Sequence, residues 1–310
     1  MIKHFVGITD ETPETFIKLI KRSEFWKKSV KKGNVQQILG PTKNRTSSKV
    51  IAMIFQKPST RTRVSCEMAL HHLGGRGLYL SPNEIGLGKR EATKDVAAVL
   101  GRLVDGILAR VFSHSDVLEL SKHAGVPVVN GLSDAEHPCQ ILGDFLTMLE
   151  HGWRPGKGKL AFIGDGNNVC NSLIAGAALT GTEFVWVGPK GYEPDKKFVE
   201  FAYQNGGKII LSNKISELKG SDFIYNDVWT SMGFEDEANK RRKKFKPYQM
   251  NSKVMELVPS AKILHCLPAH RGEEITDEVI DGKNSIVLDQ AENRVYSKMA
   301  VFERLFCNHK

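Results

Sequence analysis

Short apolar runs of strand length alternate with helical stretches along almost the whole 310-residue chain, and few architectures accept that order. Strands are expected at Val50–Phe55, Gly77–Leu80, Gly106–Arg110 and Pro127–Asn130, then at Leu160–Gly164, Phe184–Val187, Lys208–Leu211, Phe223–Asn226, Lys262–Cys266 and Ile286–Leu288. They are rich in β-branched residues and do not alternate strictly, as parallel strands buried on both faces do. Helices are expected between them, at Glu14–Lys32, Arg63–Leu73, Thr93–Leu103, Ser115–Ala124, Asn171–Leu179, Asp195–Asn205 and Met250–Val258. The pattern predicts an α/β chain of two doubly wound domains with central parallel sheets and a cleft between them. A Gly/Pro turn at 152–158 comes after an amphipathic stretch and marks the break. The expected division is residues 1–136, a linking helix 137–152 and residues 153–290, with a C-terminal helix 291–310 leaning back on the first domain.

Composition removes several classes. With 41% hydrophobic and 25% charged residues the chain is globular in type, and no apolar run reaches the length of a membrane span. The start, Met1 to Val6 and then Asp10, Glu11 and Glu14, resembles neither a signal peptide nor a transit segment, so a cytoplasmic enzyme is the default. Five cysteines without CxxC spacing argue against a disulfide framework and a thiolate-rich zinc site. The +9 charge sits largely in Lys27-Lys28, Lys31-Lys32 and the run Lys240–Lys246. Aromatic residues only flank these runs, so solvated faces are expected rather than a nucleic-acid platform.

Open parallel sheets bind their ligands at the carboxyl ends of the strands, so the residues just beyond each strand are the candidates for a site. Beyond the first strand stands Ser59-Thr60-Arg61-Thr62-Arg63, a hydroxyl-rich entry to a helix that reads equally as an ordinary N-cap or as a small-anion site. Arg110 ends the third strand and reads as an anion contact or a structural ion pair. His137-Pro138-Cys139-Gln140 opens a helix with Pro138 suited to its first position, offering a carbonyl polariser and an amide. Gly164-Asp165-Gly166-Asn167-Asn168-Val169 half-matches a dinucleotide fingerprint but lacks the third glycine and the ribose-binding acid, and reads as a turn presenting Asn168. Asp227 to Gly233 suits an ammonium plus a carboxylate, as in an amino acid. His265, Cys266 and His270 could be imagined around a metal, but Pro268 and the missing carboxylate weigh against one. Arg294 stands at another expected strand-to-helix junction.

The ordered set Ser-Thr-Arg-Thr-Arg (59–63), His-Pro-Cys-Gln (137–140), Asp-Val-Trp-Thr-Ser-Met-Gly (227–233) and His-Cys-Leu-Pro (265–268) resembles the aspartate/ornithine carbamoyltransferase family over essentially the whole chain. The last two motifs resemble its ornithine branch. The resemblance implies a carbamoyl-phosphate-binding domain, then an amino-acid-binding domain, a homotrimer, and no cofactor or metal. The implied reaction is carbamoyl phosphate plus L-ornithine giving L-citrulline and phosphate, by direct attack of the neutral δ-amine, in arginine metabolism. Ser59, Thr60, Arg61 and Thr62 would hold the phosphate. Arg110, His137 and Gln140 would engage the carbamoyl group, with Cys266, Leu267 and Arg294 completing that pocket. Asn168, Asp227, Ser231 and Met232 would bind ornithine, and Asp227 and Cys266 would tune or accept the amine proton.

Two segments depart from the family pattern. Gly86 stands where many relatives carry a glutamine contributed to a neighbouring subunit's site, and the cationic run Lys240–Lys246 lies where the family has a mobile loop over ornithine. An aspartate-specific enzyme would need cationic groups where this chain offers Asp227, Ser231 and Met232. Putrescine or N-acetylornithine as the amine, a nicotinamide-dependent dehydrogenase and a basic scaffold on a dead enzyme fold are the other readings.

Overall fold

The computed structural model describes residues 3–42, 47–230 and 237–307. The chain divides into two compact units, Met1–Leu146 with Glu292–Lys310, and Thr147–Ala291. The first holds four parallel strands, β1 (Val50–Phe55), β2 (Arg76–Leu80), β3 (Gly106–Arg110) and β4 (Val128–Leu132), in the order β2-β1-β3-β4. The second holds five, β5 (Lys159–Ile163), β6 (Glu183–Val187), β7 (Ile209–Ser212), β8 (Phe223–Asn226) and β9 (Lys262–His265), in the order β7-β6-β5-β8-β9. Every residue of β3 and β8 is buried, whereas the edge strand β2 is exposed over its first half. Burial on both faces is why the central strands read as continuous apolar runs. In each sheet the strand order reverses once, between β1 and β3 and between β5 and β8.

Two helices start earlier than their apolar spacing suggests, because capping residues precede the periodic run. Ser59 caps a helix over Thr60–His72, and Asn167 caps one over Asn168–Thr180. Pro138 is the first residue of the Pro138–Glu150 helix, as its fixed φ favours. The strand expected at Ile286–Leu288 does not form. Ser285 bridges to Ile263 and the Ile286 N–H reaches the Ile263 carbonyl, but the chain then turns helical over Val287–Phe306. Leu288 is 77% exposed, so the run lacks the second apolar face a buried strand needs. Arg294 therefore lies inside this helix rather than at a strand exit.

The Val287–Phe306 helix passes into the first unit, where buried charge secures it. Glu303 accepts both Nε and Nη2 of Arg22 at 2.5 and 2.6 Å and the Trp26 indole N–H at 2.9 Å. Arg304 reaches both carboxylate oxygens of Glu11 at 2.7 and 2.8 Å. The N-terminal segment is held similarly, with Phe5 bridging to β4 and Glu136 accepting the Ile8 N–H at 2.8 Å. Breaking one fully buried ion pair costs ~3–5 kcal/mol. Arg22 is 39% exposed, so Glu303→Ala is expected to destabilise the first unit by about 2 kcal/mol. An unchanged urea midpoint for that variant would contradict the clamp.

Candidate active site

In the first unit, β1 leads into a helix whose N-terminus is already preorganised. The Ser59 hydroxyl donates to Thr62 Oγ1 at 3.1 Å and accepts the Thr62 N–H at 3.3 Å. The Thr60 and Arg61 N–H groups, in the first helical turn, have no intrahelical partner, and the helix dipole adds positive potential there. Thr62 is buried, and its hydroxyl receives Nη2 of Arg294 at 2.9 Å. Arg110, the last residue of β3, sits in register beside Phe55, the last residue of β1, so its guanidinium leaves the same end of the sheet. Cap and anion site are thus compatible uses of one turn. Arg63 is exposed and turned away, pairing with Glu67 at 2.9 Å and lying 4.0 Å from the centre of the Tyr79 ring.

His137 and Gln140 come after β4 and are buried. Burial holds the His137 imidazole well below its usual range, and the cations Arg294, Arg110 and Lys298 push it further down. At neutral pH it is an uncharged ring whose N–H can donate. Gln140 Nε2 donates to Asp144 Oδ1 at 2.8 Å. A carboxylate only accepts, so this bond fixes the amide and leaves Oε1 as the other end. That Oε1 is buried with no hydrogen-bond partner among the described residues. An unmade hydrogen bond of this kind costs about 1–3 kcal/mol, which a ligand N–H would offset.

In the second unit, Asp227 comes directly after β8 and is 5% exposed. Its Oδ2 accepts Asn167 Nδ2 at 2.7 Å, and its Oδ1 accepts the Val228 N–H at 2.8 Å and the Cys266 thiol at 2.9 Å. Asn167, which the sequence reading did not single out, is therefore the residue of the β5 turn that bonds to Asp227. Asn168 begins the helix, with its Oδ1 accepting the Val169 N–H at 3.1 Å. Gly166 is required here, because a Cβ would lie 2.2 Å from the Pro194 nitrogen. After β9, Leu267 takes a φ of 56°, and its N–H donates to His265 Nδ1 at 2.9 Å while His265 Nε2 faces Glu274 Oε1 at 3.2 Å. The ring thus braces a left-handed turn that a leucine rarely adopts. Ser231 and Met232 lie outside the described residues.

Asp227, His265 and Cys266 offer ligand atoms within 4.8 Å of one another, as do His270, Glu273 and Glu274. The Cys266 thiol and both His265 nitrogens already have protein partners. The run Lys240–Lys246 is not wholly a solvated face. All of it but Lys246 falls in the helix Ala238–Phe245, and Arg241 is buried, bonded to Asp165 at 2.7 Å and to the Trp229 carbonyl at 3.1 Å. Asn167 could have been found from its preference for N-caps. The Asp165–Arg241 pairing spans 76 residues of sequence and left no local signal.

Two family models match the chain. One describes the carbamoyl-P binding domain of aspartate/ornithine carbamoyltransferases, over residues 3–150, and the other their Asp/Orn binding domain, over residues 157–305. The ornithine carbamoyltransferase of Pyrococcus horikoshii is 47% identical over 307 residues, covering 96% of this chain and 94% of its own. The structure of the Pyrococcus furiosus ornithine carbamoyltransferase superposes with a TM-score of 0.93 at 43% identity, covering 99% of this chain and 98% of its own. The anabolic ornithine carbamoyltransferase of Campylobacter jejuni superposes with a TM-score of 0.91 at 37% identity, covering 98% and 99%.

Burial pushes Asp165 up to about 6 in spite of Arg241, above the ~3.9 of an unfolded aspartate. A folded-state value above the unfolded one means that its contribution to stability is present below pH ~4 and lost as pH rises through about 6. The stability of the wild type minus that of Asp165→Asn is therefore expected to fall between pH 4 and 7, read from urea midpoints. A difference independent of pH would refute the assignment.

Proposed function

The chain belongs to the aspartate/ornithine carbamoyltransferase family, and on that premise we propose that it transfers the carbamoyl group of carbamoyl phosphate to L-ornithine. The observation that carries the choice of amine is the buried carboxylate of Asp227, held by Asn167 and Cys266. A second substrate carboxylate, as in aspartate, would be repelled by that group, whereas an ammonium is attracted.

In this reading the first unit takes carbamoyl phosphate. The phosphate sits on the helix N-terminus at Ser59, Thr60, Arg61 and Thr62, with Arg110 reaching it. Arg110, neutral His137 and Thr62 donate to the carbonyl oxygen as it gains charge, and Gln140 Oε1 accepts from the carbamoyl NH2. Arg294 supports Thr62. The second unit takes ornithine through Asn168, Asp227, Ser231 and Met232, with Asn167 fixing Asp227.

The δ-nitrogen lone pair forms a bond to the carbamoyl carbon while the carbon–oxygen bond to phosphate breaks, and the nitrogen then loses one proton. Carbamoyl phosphate is already activated, so alignment and donors to the developing oxyanion supply the acceleration. The amine must be neutral to attack, and its pKa is ~10 like that of lysine. We assign Asp227 and Cys266 to selecting or accepting that proton. The proposed setting is cytoplasmic arginine biosynthesis, supported by the likeness to an anabolic relative.

Citrulline formation is expected with ornithine when carbamoyl phosphate is offered with ornithine, N-acetylornithine, putrescine or aspartate in parallel. Product only with another amine would sink the ornithine reading, and no product with any would favour a scaffold. The rate should rise with pH toward the amine pKa. Cys266→Ala should alter that profile, and an unchanged rate and profile would remove Cys266 from the proton path.

The assembly we propose is a homotrimer. Val64 and Met68, one helical turn apart, and Leu78 on the edge strand β2 are 51%, 38% and 47% exposed, apolar side chains that subunit contacts would cover. Light scattering is expected to give three times the 34.5 kDa chain mass, and Leu78→Lys to reduce it. A wild-type mass of one chain would exclude the trimer.

A further inference from the structure

Lys298 has no part in the chemistry above, yet it is fully buried in the first unit. Its Nζ donates to Ser65 Oγ at 2.9 Å and to the Arg294 carbonyl at 3.2 Å. Ser65 Oγ in turn donates to the Arg61 carbonyl at 2.5 Å and lies 3.3 Å from the Thr62 carbonyl. Arg294 touches the same turn from its other end, through Nη2 to Thr62 Oγ1 at 2.9 Å. One amine thus underlies both supports of the Ser59–Thr62 turn.

A buried ammonium needs a counter-charge, and among the described residues the groups that act most on this one do not supply it. The ionisable groups acting on it are the Arg294 and Arg110 guanidiniums and the Cys139 and Cys66 thiols, with His137 in the same cluster. Burial pushes the Cys66 thiol up to about 12 and also raises Cys139, so neither is an anion at neutral pH. Burial, then Arg294, lowers Lys298 itself to about 7. A phosphate on the turn would bring the missing negative charge.

We propose that Lys298 is a positioning residue of the anion site, holding Ser65 and the Arg294 carbonyl beneath the Thr60–Thr62 turn and taking up a proton when a phosphate group occupies it. This rests on the reading of Ser59–Thr62 as the phosphate site. Proton uptake and anion binding are linked, so each unit by which a bound anion raises the lysine corresponds to about tenfold in affinity.

The test is isothermal titration of the full chain with inorganic phosphate, in buffers of different ionisation enthalpy, for wild type, Lys298→Met and Lys298→Gln. At pH 8, where phosphate is mostly dianionic, wild type is expected to take up a fraction of a proton that both variants lack. Phosphate affinity should fall about tenfold in the variants at pH 7, and the gap should close toward pH 10 as the wild-type lysine loses its charge. The KM for carbamoyl phosphate should rise by the same factor, with kcat changed far less. Equal proton uptake in wild type and in a folded variant would assign the proton to a group other than Lys298 and overturn the proposal. Wild type that binds no phosphate would overturn the anion site itself, and this proposal with it. If Lys298→Met fails to fold, Lys298→Gln carries the comparison. If neither folds, the wild type decides, because absence of any uptake at pH 8 refutes the proposal and uptake there supports it, His137 being too low to hold a proton at that pH.

Discussion

All strands of a parallel sheet deliver their carboxyl ends to one side, and where strand order reverses the outgoing connections diverge and leave room for a ligand. Each unit of this protein has one such point. Ser59–Thr62 lies beyond β1 and Arg110 ends β3, the two strands flanking the first reversal. Asn167 lies beyond β5 and Asp227 beyond β8, the two flanking the second. His137 and Cys266 lie beyond the next strands out, β4 and β9. The polar groups are therefore placed by topology, with the apolar strands supplying rigidity beneath them.

Around this arrangement the two units use different electrostatics. The first gathers cations, with Arg110, Arg294 and Lys298 acting together on His137 and lowering it. A site of that sign suits a phosphate and keeps the imidazole uncharged, with one ring N–H still able to donate. The second is centred on a carboxylate, Asp227, whose oxygens are occupied by Asn167, Val228 and Cys266. A thiol donating to a carboxylate is a poor candidate for a free nucleophile, which fits a direct transfer better than a covalent cysteine intermediate.

Much of this was legible along the chain. The strands Val50–Phe55, Gly106–Arg110 and Phe223–Asn226 form over the ranges their apolar runs suggest, because burial on both faces leaves a local signature. Ile286–Leu288 carried the same short signature without the environment, and became the start of a helix. Arg241 looked like one solvated cation among several, yet it is buried against Asp165, a partner far away in sequence. Ser231 and Met232 fall outside the described residues, so their expected role rests on the motif.

The sequence by itself determined the α/β class, the strand exits and the identity of the polar residues placed there, since local periodicity and the tolerance of side chains for a strand end decide these. Tertiary structure decided which exits share a reversal of strand order, because that depends on how strands pair. It also decided that Asn167 secures Asp227, and that the last helix brings Arg294 onto Thr62 and Lys298 onto Ser65. The last two contacts join residues 232 and 233 positions apart within the first unit, and no periodicity or propensity encodes a meeting over that distance.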